Sequence, residues 1–337
     1  MFHFRRFYAI LVARNLEFVR DYASLGWGLV FPIFIVVGFA FIFNNQQPLY
    51  TVGSLGPGDV DATALLGLDD ELVDITPQHD RDAAIRKVER HGLDLLVEPS
   101  AGRYWINPSS PNGIVLEKVL KAEGSMESLS RLPVSGEALR YVDWALPGVL
   151  AMNIMFAALY GIGFVIVRYR KMGVLKRLLA TPVSAVEFLS AQLVSRLLLI
   201  LVVNTILFVG LWITVNFRME GSALLLLLVF AVGSTSLIAM GLLIAARISS
   251  EELANGLLNL ATWPMMLLSE VWFSMDDAAP WLQRVADALP LTHMTRSARA
   301  IMLDAATFTD VLPSLLYLGG VTTVLLLIGA ALFRWET

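Results

Sequence analysis

Six stretches of the chain are free of Asp, Glu, Lys and Arg: 22–58, 144–167, 197–217, 221–246, 253–269 and 311–333. An α-helix rises about 1.5 Å per residue and the hydrocarbon core of a bilayer is about 30 Å thick, so a span needs about 20 apolar residues. Five stretches reach that length unaided. The first turns polar beyond Asn44, which limits its apolar part to about 24–43. The fifth is shorter, and is long enough if Glu270 sits at the far interface and Val271 to Met275 continue the span. One such run also suits a buried core helix. Six in one chain predict an all-α polytopic membrane protein with six transmembrane helices, the first over 22–43 and five more within 144–337.

The polar intervals predict the remaining elements. Residues 1–21 set Arg5, Arg6, Arg14, Glu17, Arg20 and Asp21 among Phe2, Phe4, Phe7, Tyr8, Ile10, Leu11, Leu16 and Phe18. That pattern suits an amphipathic helix lying in the membrane interface. It lacks the layout of a cleavable leader, so the first span is expected to act as an uncleaved signal anchor.

The long interval 44–143 reads as a small α+β domain. Glu71 to Ile75 is a strand candidate, followed by Thr76 as a helix N-cap, Pro77 at the first helical position and Gly92 as the stop. Leu93 to Val97 and Arg103 to Ile106 are strand candidates around a turn at Pro99–Gly102. A helix from about Gly113 to Leu132 leads back toward the membrane. The domain has too little apolar content for a deep ligand cleft, which leaves a spacer or a docking platform.

Between the fifth and sixth spans lies 276–310. Trp281, Leu282, Val285, Ala286 and Leu289 recur at helical spacing, as do Met294, Ala298 and Met302 after Pro290. Two short amphipathic or re-entrant helices at the outer face are expected there.

Charge orients the chain. Loops on the cytoplasmic side are enriched in Lys and Arg. One alternating set of loops holds Arg5, Arg6, Arg14, Arg20, Arg168, Arg170, Lys171, Lys176, Arg177, Arg247 and Arg334; the other, leaving out the large domain, holds Arg218, Arg284, Arg296 and Arg299. Arg196 reads as facing the cytoplasmic headgroups at the start of the third span. Both termini are therefore expected inside a bacterial inner membrane, with 44–143 outside or in the periplasm. Composition agrees with a lipid solvent, at 56% apolar and 16% charged residues against about 25% in soluble domains. The net charge of −4 speaks against a nucleic-acid partner, and the absence of cysteine excludes disulfides and thiolate metal sites.

Most chemistry is missing. An ATP-binding loop needs Gly-x-x-x-x-Gly-Lys-Ser/Thr, and none of the five lysines (Lys87, Lys118, Lys121, Lys171 and Lys176) follows a glycine. The histidines His3, His79, His91 and His293 are dispersed, without metal-ligand spacing. No Gly-x-Ser-x-Gly elbow occurs. The span centres are almost free of charge, unlike those of ion-coupled carriers. Glu270 is the exception, either hydrated at the outer interface or lining the outer exit of a substrate path. A carrier of this kind draws its energy from a partner acting on a cytoplasmic loop.

The segment 168–187 narrows the choice. Arg170-Lys171-Met172-Gly173-Val174-Leu175-Lys176-Arg177-Leu178-Leu179-Ala180-Thr181-Pro182-Val183-Ser184 resembles the cytoplasmic coupling segment of type-2 ABC exporter permeases. In that family a basic stretch and a Gly precede a Leu-rich helix ending in Ala-Thr-Pro. Leu289-Pro290-Leu291-Thr292-His293-Met294, with Arg296, Ala298, Arg299 and Ala300, is similar to the family's motif before the last span. Two places depart from the pattern. Met172 and Val174 stand where many members carry an acidic residue and Thr, and Ser269-Glu270-Val271-Trp272-Phe273-Ser274 stands where many carry Ser-Gly-Val-Phe-Phe-Pro.

The resemblance implies a transport subunit without its own ATPase, binding no cofactor, in a dimer of permeases (identical or paired) with two ATPase subunits that hold ATP and Mg. It implies that the interfacial helix with Arg5, Arg6, Arg14 and Arg20, and the coupling residues Gly173, Leu175, Lys176, Arg177, Leu178, Leu179, Thr181 and Pro182, touch the ATPase. Leu175, Leu178 and Leu179 share one helical face, which packs either on the ATPase or on the protein's own spans. Glu270, Trp272, Phe273, Leu289 and Pro290 are the candidate outer gate. The large first external loop resembles that of multidrug-type members, which export lipophilic or amphiphilic, drug-like or lipid-like substrates and often work with periplasmic adaptor proteins. Polysaccharide or glycolipid export is the alternative within the family. A non-ABC receptor or channel sensing through 44–143 is the alternative outside it.

Overall fold

The computed structural model describes residues 3–42, 50–56, 73–78, 80–122, 124, 126, 129–136, 138–275 and 278–332. Two compact units result, Met1–Ala40 with Val142–Thr337, and Phe41–Tyr141.

In the first unit, α1 (Phe4–Arg20) and α2 (Tyr22–Ile42) are followed by α5 (Tyr141–Lys171), α6 (Val174–Leu179), α7 (Ala185–Val215), α8 (Ala223–Ala245), α9 (Glu251–Leu268), α10 (Pro280–Asp287), α11 (Pro290–Asp304) and α12 (Phe308–Leu332). Among the described residues, α5, α7, α8 and α12 are long and apolar enough to cross a membrane, as a polytopic membrane protein requires. The described apolar core of α2 is Gly28–Val37. Helix α9 carries Glu251 and Glu252 in its first turn and Asn255, Asn259 and Thr262 further on, which makes it more polar than those four. Serine caps start the long helices: Ser184 for α7, Ser222 for α8 and Ser250 for α9, each accepting from a backbone N–H one turn on. Helix α8 is the centre of the unit. It packs against α7, α11, α12 and the middle of α5, and buries Val229, Phe230, Leu237, Ile238 and Leu242.

The expected continuation of the fifth span through Val271 to Met275 does not occur. Helix α9 stops at Leu268, and Glu270 takes a left-handed backbone, φ 56°. A non-glycine residue holds that conformation only where its surroundings enforce it. Here two arginines grip the Glu270 side chain (below).

The second unit holds a five-stranded mixed sheet: β1 (Tyr50–Leu55), β2 (Val73–Gln78), β3 (Leu95–Glu98), β4 (Arg103–Ile106) and β5 (Ser130–Pro133), in the order β2-β1-β3-β4-β5. The β3–β4 pair is antiparallel and the other pairs are parallel. Helices α3 (Arg81–Glu89) and α4 (Pro111–Ala122) cover opposite faces. Leu95, Val97, Tyr104 and Ile106 pack with Leu116 and Leu120 of α4, while Leu96 and Trp105 pack with Ala84 and Val88 of α3. Successive side chains of a strand point to opposite faces, so a sheet covered on both reads as a continuous apolar run.

Three readings of this interval are corrected. Thr76 and Pro77 belong to β2, paired with Gly53 and Ser54. The cap of α3 is Asp80, whose carboxylate accepts from the N–H of Asp82 at 3.0 Å and of Ala83 at 3.3 Å. Strand β2 lies at the sheet edge, where a proline without an N–H is tolerated. Second, α4 ends at Ala122, ten residues short of the expected Leu132, because the chain turns at Gly124 (φ 77°) and returns as β5. Third, residues 130–132, expected at the end of that helix, belong to strand β5, and β1 is a strand that the expectations did not include. Glu71 and His79 lie outside the described residues.

Buried Glu117 fixes β5 to this unit. Its carboxylate accepts from the Tyr104 hydroxyl at 2.7 Å and pairs with Lys121 at 2.7 Å and Arg131 at 2.9 Å. Burial pushes the carboxyl up, but the bonds from Lys121 and Tyr104 and the charge of Arg131 outweigh it, so the group lies below the usual carboxylate range.

Candidate functional site

The N-terminal helix and the coupling segment meet. The backbone N–H of His3 donates to the Glu187 carboxylate, and the Arg6 guanidinium donates to the Pro182 carbonyl. Further along, the Ser195 hydroxyl donates to Asn15 Oδ1 at 2.5 Å. Glu187 is fully buried and also closes a capping box with Ser184, so one carboxylate starts α7 and anchors α1. The opposite face of α1 exposes Phe4, Tyr8, Val12, Leu16 and Val19, with Arg5 and Arg20 also exposed.

Helix α6 follows at once. Gly173, at φ 70°, turns the chain between the end of α5 and α6; a β-carbon would strain that conformation. Thr181 donates its hydroxyl to the Leu178 carbonyl at 2.6 Å as the helix ends before Pro182. The three leucines do not form one outward face. Leu175 is fully buried, Leu178 half-buried and Leu179 exposed, and the outward apolar side chains are Leu179 and Met172. The helix is under two turns long, with Leu175 in its first turn buried and Leu179 at its end exposed. Lys176 and Arg177 are exposed beside it.

Arg170 has a role that its place in a basic stretch does not announce. Its guanidinium is buried and donates to the carbonyls of Ala245 at 2.9 Å, Ala246 at 3.0 Å and Ile248. These include final carbonyls of α8, which have no partner within their own helix. With the Lys171–Glu251 pair at 3.5 Å, this bond set ties the end of α5, and hence α6, to the α8–α9 turn.

A cavity of about 970 Å³ lies between α1, α2, α5 and α7, beside the π-turn Tyr160–Phe164 that interrupts α5. Arg14 is buried at its edge, donating to Glu17 at 2.9 Å, the Tyr169 hydroxyl at 3.0 Å and the Gly161 carbonyl at 3.2 Å. Arg14 is therefore no exposed member of the interfacial row. Arg196 also lines the cavity. Helix α7 begins at Ala185, three turns before the charge-free run, which puts Arg196 about 16 Å along its axis, beside Phe18 near the end of α1. Its Nε donates to the Ala157 carbonyl at 2.7 Å, and its guanidinium stands 5.2 Å from the Phe18 ring centre.

At the other end of the unit Glu270 is buried, which corrects its reading as a hydrated interfacial side chain. It pairs with Arg296 at 2.6 Å and Arg299 at 3.1 Å. Arg296 also pairs with Asp287 at 2.6 Å, and Arg299 donates to the Glu270 carbonyl at 2.6 Å and lies 4.0 Å from the Trp144 ring centre. The Thr292 hydroxyl donates to Ser269 Oγ at 2.9 Å. Pro290 starts α11 and Leu289 precedes it, so the Leu-Pro-Leu-Thr motif positions the arginines that clamp the end of α9. Of the candidate gate residues, Trp272 is half-buried and Phe273 exposed.

Sequence reasoning missed Glu187, Asn15, Tyr169, Gly161 and Asp287. Only the Ser184-x-x-Glu187 capping spacing was a local signal.

The ABC-2 type transporter family matches residues 104–303. The chain is 27% identical over 178 residues to the daunorubicin resistance ABC transporter permease protein DrrB1 of Streptomyces coeruleorubidus, covering 51% of this chain and 61% of that one. It is 26% identical over 178 residues to the probable multidrug ABC transporter permease YbhR of Escherichia coli (strain K12), covering 52% and 48%. It is 28% identical over 189 residues to the inner membrane transport permease YhhJ of the same strain, covering 55% and 49%. The aligned region is thus about half to three fifths of the length of these relatives. With the family match extending over more than half its residues, and the coupling and pre-span motifs standing at the end of α5 and the start of α11 in one helical unit, this chain belongs to the ABC-2 type transporter family.

Proposed function

We propose that this chain is the permease subunit of an ATP-driven exporter in a bacterial inner membrane, with α2 and α9 joining the four long helices as a set of six spans. Both termini face the cytoplasm and 44–143 lies outside. The permease works as a dimer, its energy comes from separate ATPase subunits holding ATP and Mg, and the outer unit docks a periplasmic adaptor. Relatives named for daunorubicin resistance and multidrug transport support a lipophilic or amphiphilic cargo.

The observation that carries this reading is the joint between α1 and 170–187. Arg6 and His3 bind α1 to the α6–α7 linker and to α7, and Arg170 binds the end of α5 to the α8–α9 turn, so α6 is held at both of its ends and a push on it moves several helices together. The exposed Lys176, Arg177, Leu179 and Met172 form the handle. The apolar outer stripe of α1 fits a lipid interface. At the far end, Phe273 and Trp272 on the clamped 269–275 turn, with Leu289 and Pro290, form the outer gate.

Reversing charge at an interface edge disfavours the partner and leaves the protein's own packing intact. Lys176→Glu with Arg177→Glu is expected to insert normally and to lose most of the co-purifying ATPase or the coupling of hydrolysis to export. Normal complex recovery together with normal export removes α6 from the mechanism. Orientation is checked separately. The chain has no cysteine, so Lys118→Cys and Lys176→Cys are single labels; impermeant maleimide on spheroplasts is expected to reach the first alone, and the reverse pattern inverts the topology.

A further inference from the structure

Arg196 is a cation about 16 Å along a membrane helix, and it has no carboxylate partner among the described residues. A guanidinium carries five N–H donors. One is used on the Ala157 carbonyl, and the other four find no acceptor among the described residues. The group is not exiled to a crevice. It lines the cavity of about 970 Å³, and its position is built: a β-carbon on Gly161 would fall 1.9 Å from the guanidinium carbon, so the π-turn of α5 leaves the room this side chain occupies. Single π-turns inside helices recur at functional sites, and a guanidinium with unused donors on a cavity wall calls for an acceptor.

The rest of the cavity says what the partner is. Phe31, Met152, Phe156, Phe164 and Ile200 supply apolar wall. Arg14 adds a second cation near Gly161, held by Glu17 and Tyr169. Arg168 and Asp21, both exposed, also border the space and offset each other in charge. Glu17 is taken by Arg14, so Arg196 is left as the uncompensated charge facing an apolar chamber.

We propose that this cavity binds an acidic amphiphile, a phosphate or carboxylate headgroup on an apolar tail, with Arg196 as the headgroup donor and Phe31, Phe156 and Ile200 against the tail. Planar guanidinium forks match both headgroups bidentately. The inference deepens the permease reading by naming a ligand class, and it rests on that reading only for what becomes of the ligand after binding.

The test uses the full chain in a neutral detergent, titrated calorimetrically with lysophosphatidic acid, with lysophosphatidylcholine of the same tail, and with glycerol 3-phosphate. Lysophosphatidic acid is expected to bind at least about tenfold more tightly than either of the others. Arg196→Gln and Gly161→Ala are expected to reduce its affinity to that of the choline lipid, and Arg196→Lys, which keeps charge but not the fork, to fall between. Equal affinity for the acidic and choline lipids in the unaltered chain overturns the proposal, and needs no variant to fold. So does full affinity in a monodisperse Arg196→Gln. Two supporting outcomes separate the sources. Phosphatidylglycerol co-purifying with the unaltered chain and lost in Arg196→Gln marks a resident bilayer lipid, whereas ATP-dependent movement of lysophosphatidic acid by the complex marks cargo. Binding is read without the ATPase, so loss of the permease reading leaves this result standing.

Discussion

Glu270 and Arg196 are both charged side chains held within the helical unit, and they are treated oppositely. Glu270 is gripped by Arg296 and Arg299, with Asp287 and Trp144 completing the cluster. Arg196 has one carbonyl, one aromatic ring and an open chamber. Removing a charge from water is costly unless the protein returns it in full. Where the return is complete, the charge serves the fold; here it forces the end of α9 into a left-handed turn. Where it is incomplete, the charge is held ready for something that arrives later. Arg170 sides with Glu270, because both of its terminal nitrogens donate to the α8–α9 carbonyls.

Glu270→Ala gives the largest expected effect. It removes the buried carboxylate that Arg296 and Arg299 share at the end of α9, and breaking a buried pair from one side costs about 3–5 kcal/mol. A drop in thermal midpoint in detergent, with proteolysis near 269–275, is the expected readout. Arg196→Gln sharpens the contrast: its loss relieves an unpaired charge, so the midpoint is expected to hold or rise. If the two variants lose stability equally, the distinction between a folding charge and a waiting one fails.

Arg170→Ala is expected to come next. It removes the donor from three carbonyls beside the exposed Arg247, Ser249 and Ser250; each would cost about 1–3 kcal/mol if left unmade, and water entering at this turn lowers the total. Amide exchange should quicken at 245–250 while the Glu270 cluster stays protected; uniform quickening would show that the two ends of the unit are not separately held.

The smallest effect is a pH dependence in the sheet unit, where Glu117 is another fully returned charge. Its folded carboxyl titrates below the unfolded value of about 4.3. The stabilisation is therefore complete above that pH and is lost as pH falls through the folded value. Amide exchange in β4 and β5 should rise on acidification in the unaltered chain and much less in Glu117→Gln. The same slope in both would remove Glu117 as its source.

Legibility followed the range of the forces involved. The long helices are visible as charge-free runs because burial in lipid acts on every residue of a span. The 280–304 helices show their period in Trp281, Val285, Met294, Ala298 and Met302. Strand β5 was invisible. Four residues of Ser-Arg-Leu-Pro carry no pattern, and only the edge of β4 and the Glu117 carboxylate make them a strand. Leu175, Leu178 and Leu179 have helical spacing, but how far a six-residue helix projects depends on what its first turn meets.

By itself, then, the sequence determined that this is a polytopic chain of the ABC-2 type, since apolar length and the short motifs at 170–184 and 289–300 are local properties. The tertiary structure alone decided which charges are structural. Arg170 reaches Ala245, Glu187 reaches His3 and Arg196 rests on Gly161 across 75, 184 and 35 positions of sequence respectively. An ion pair or a vacant donor is a relation between two places in space, and in a helical membrane unit those places are set by how helices pack and not by the order in which they follow one another.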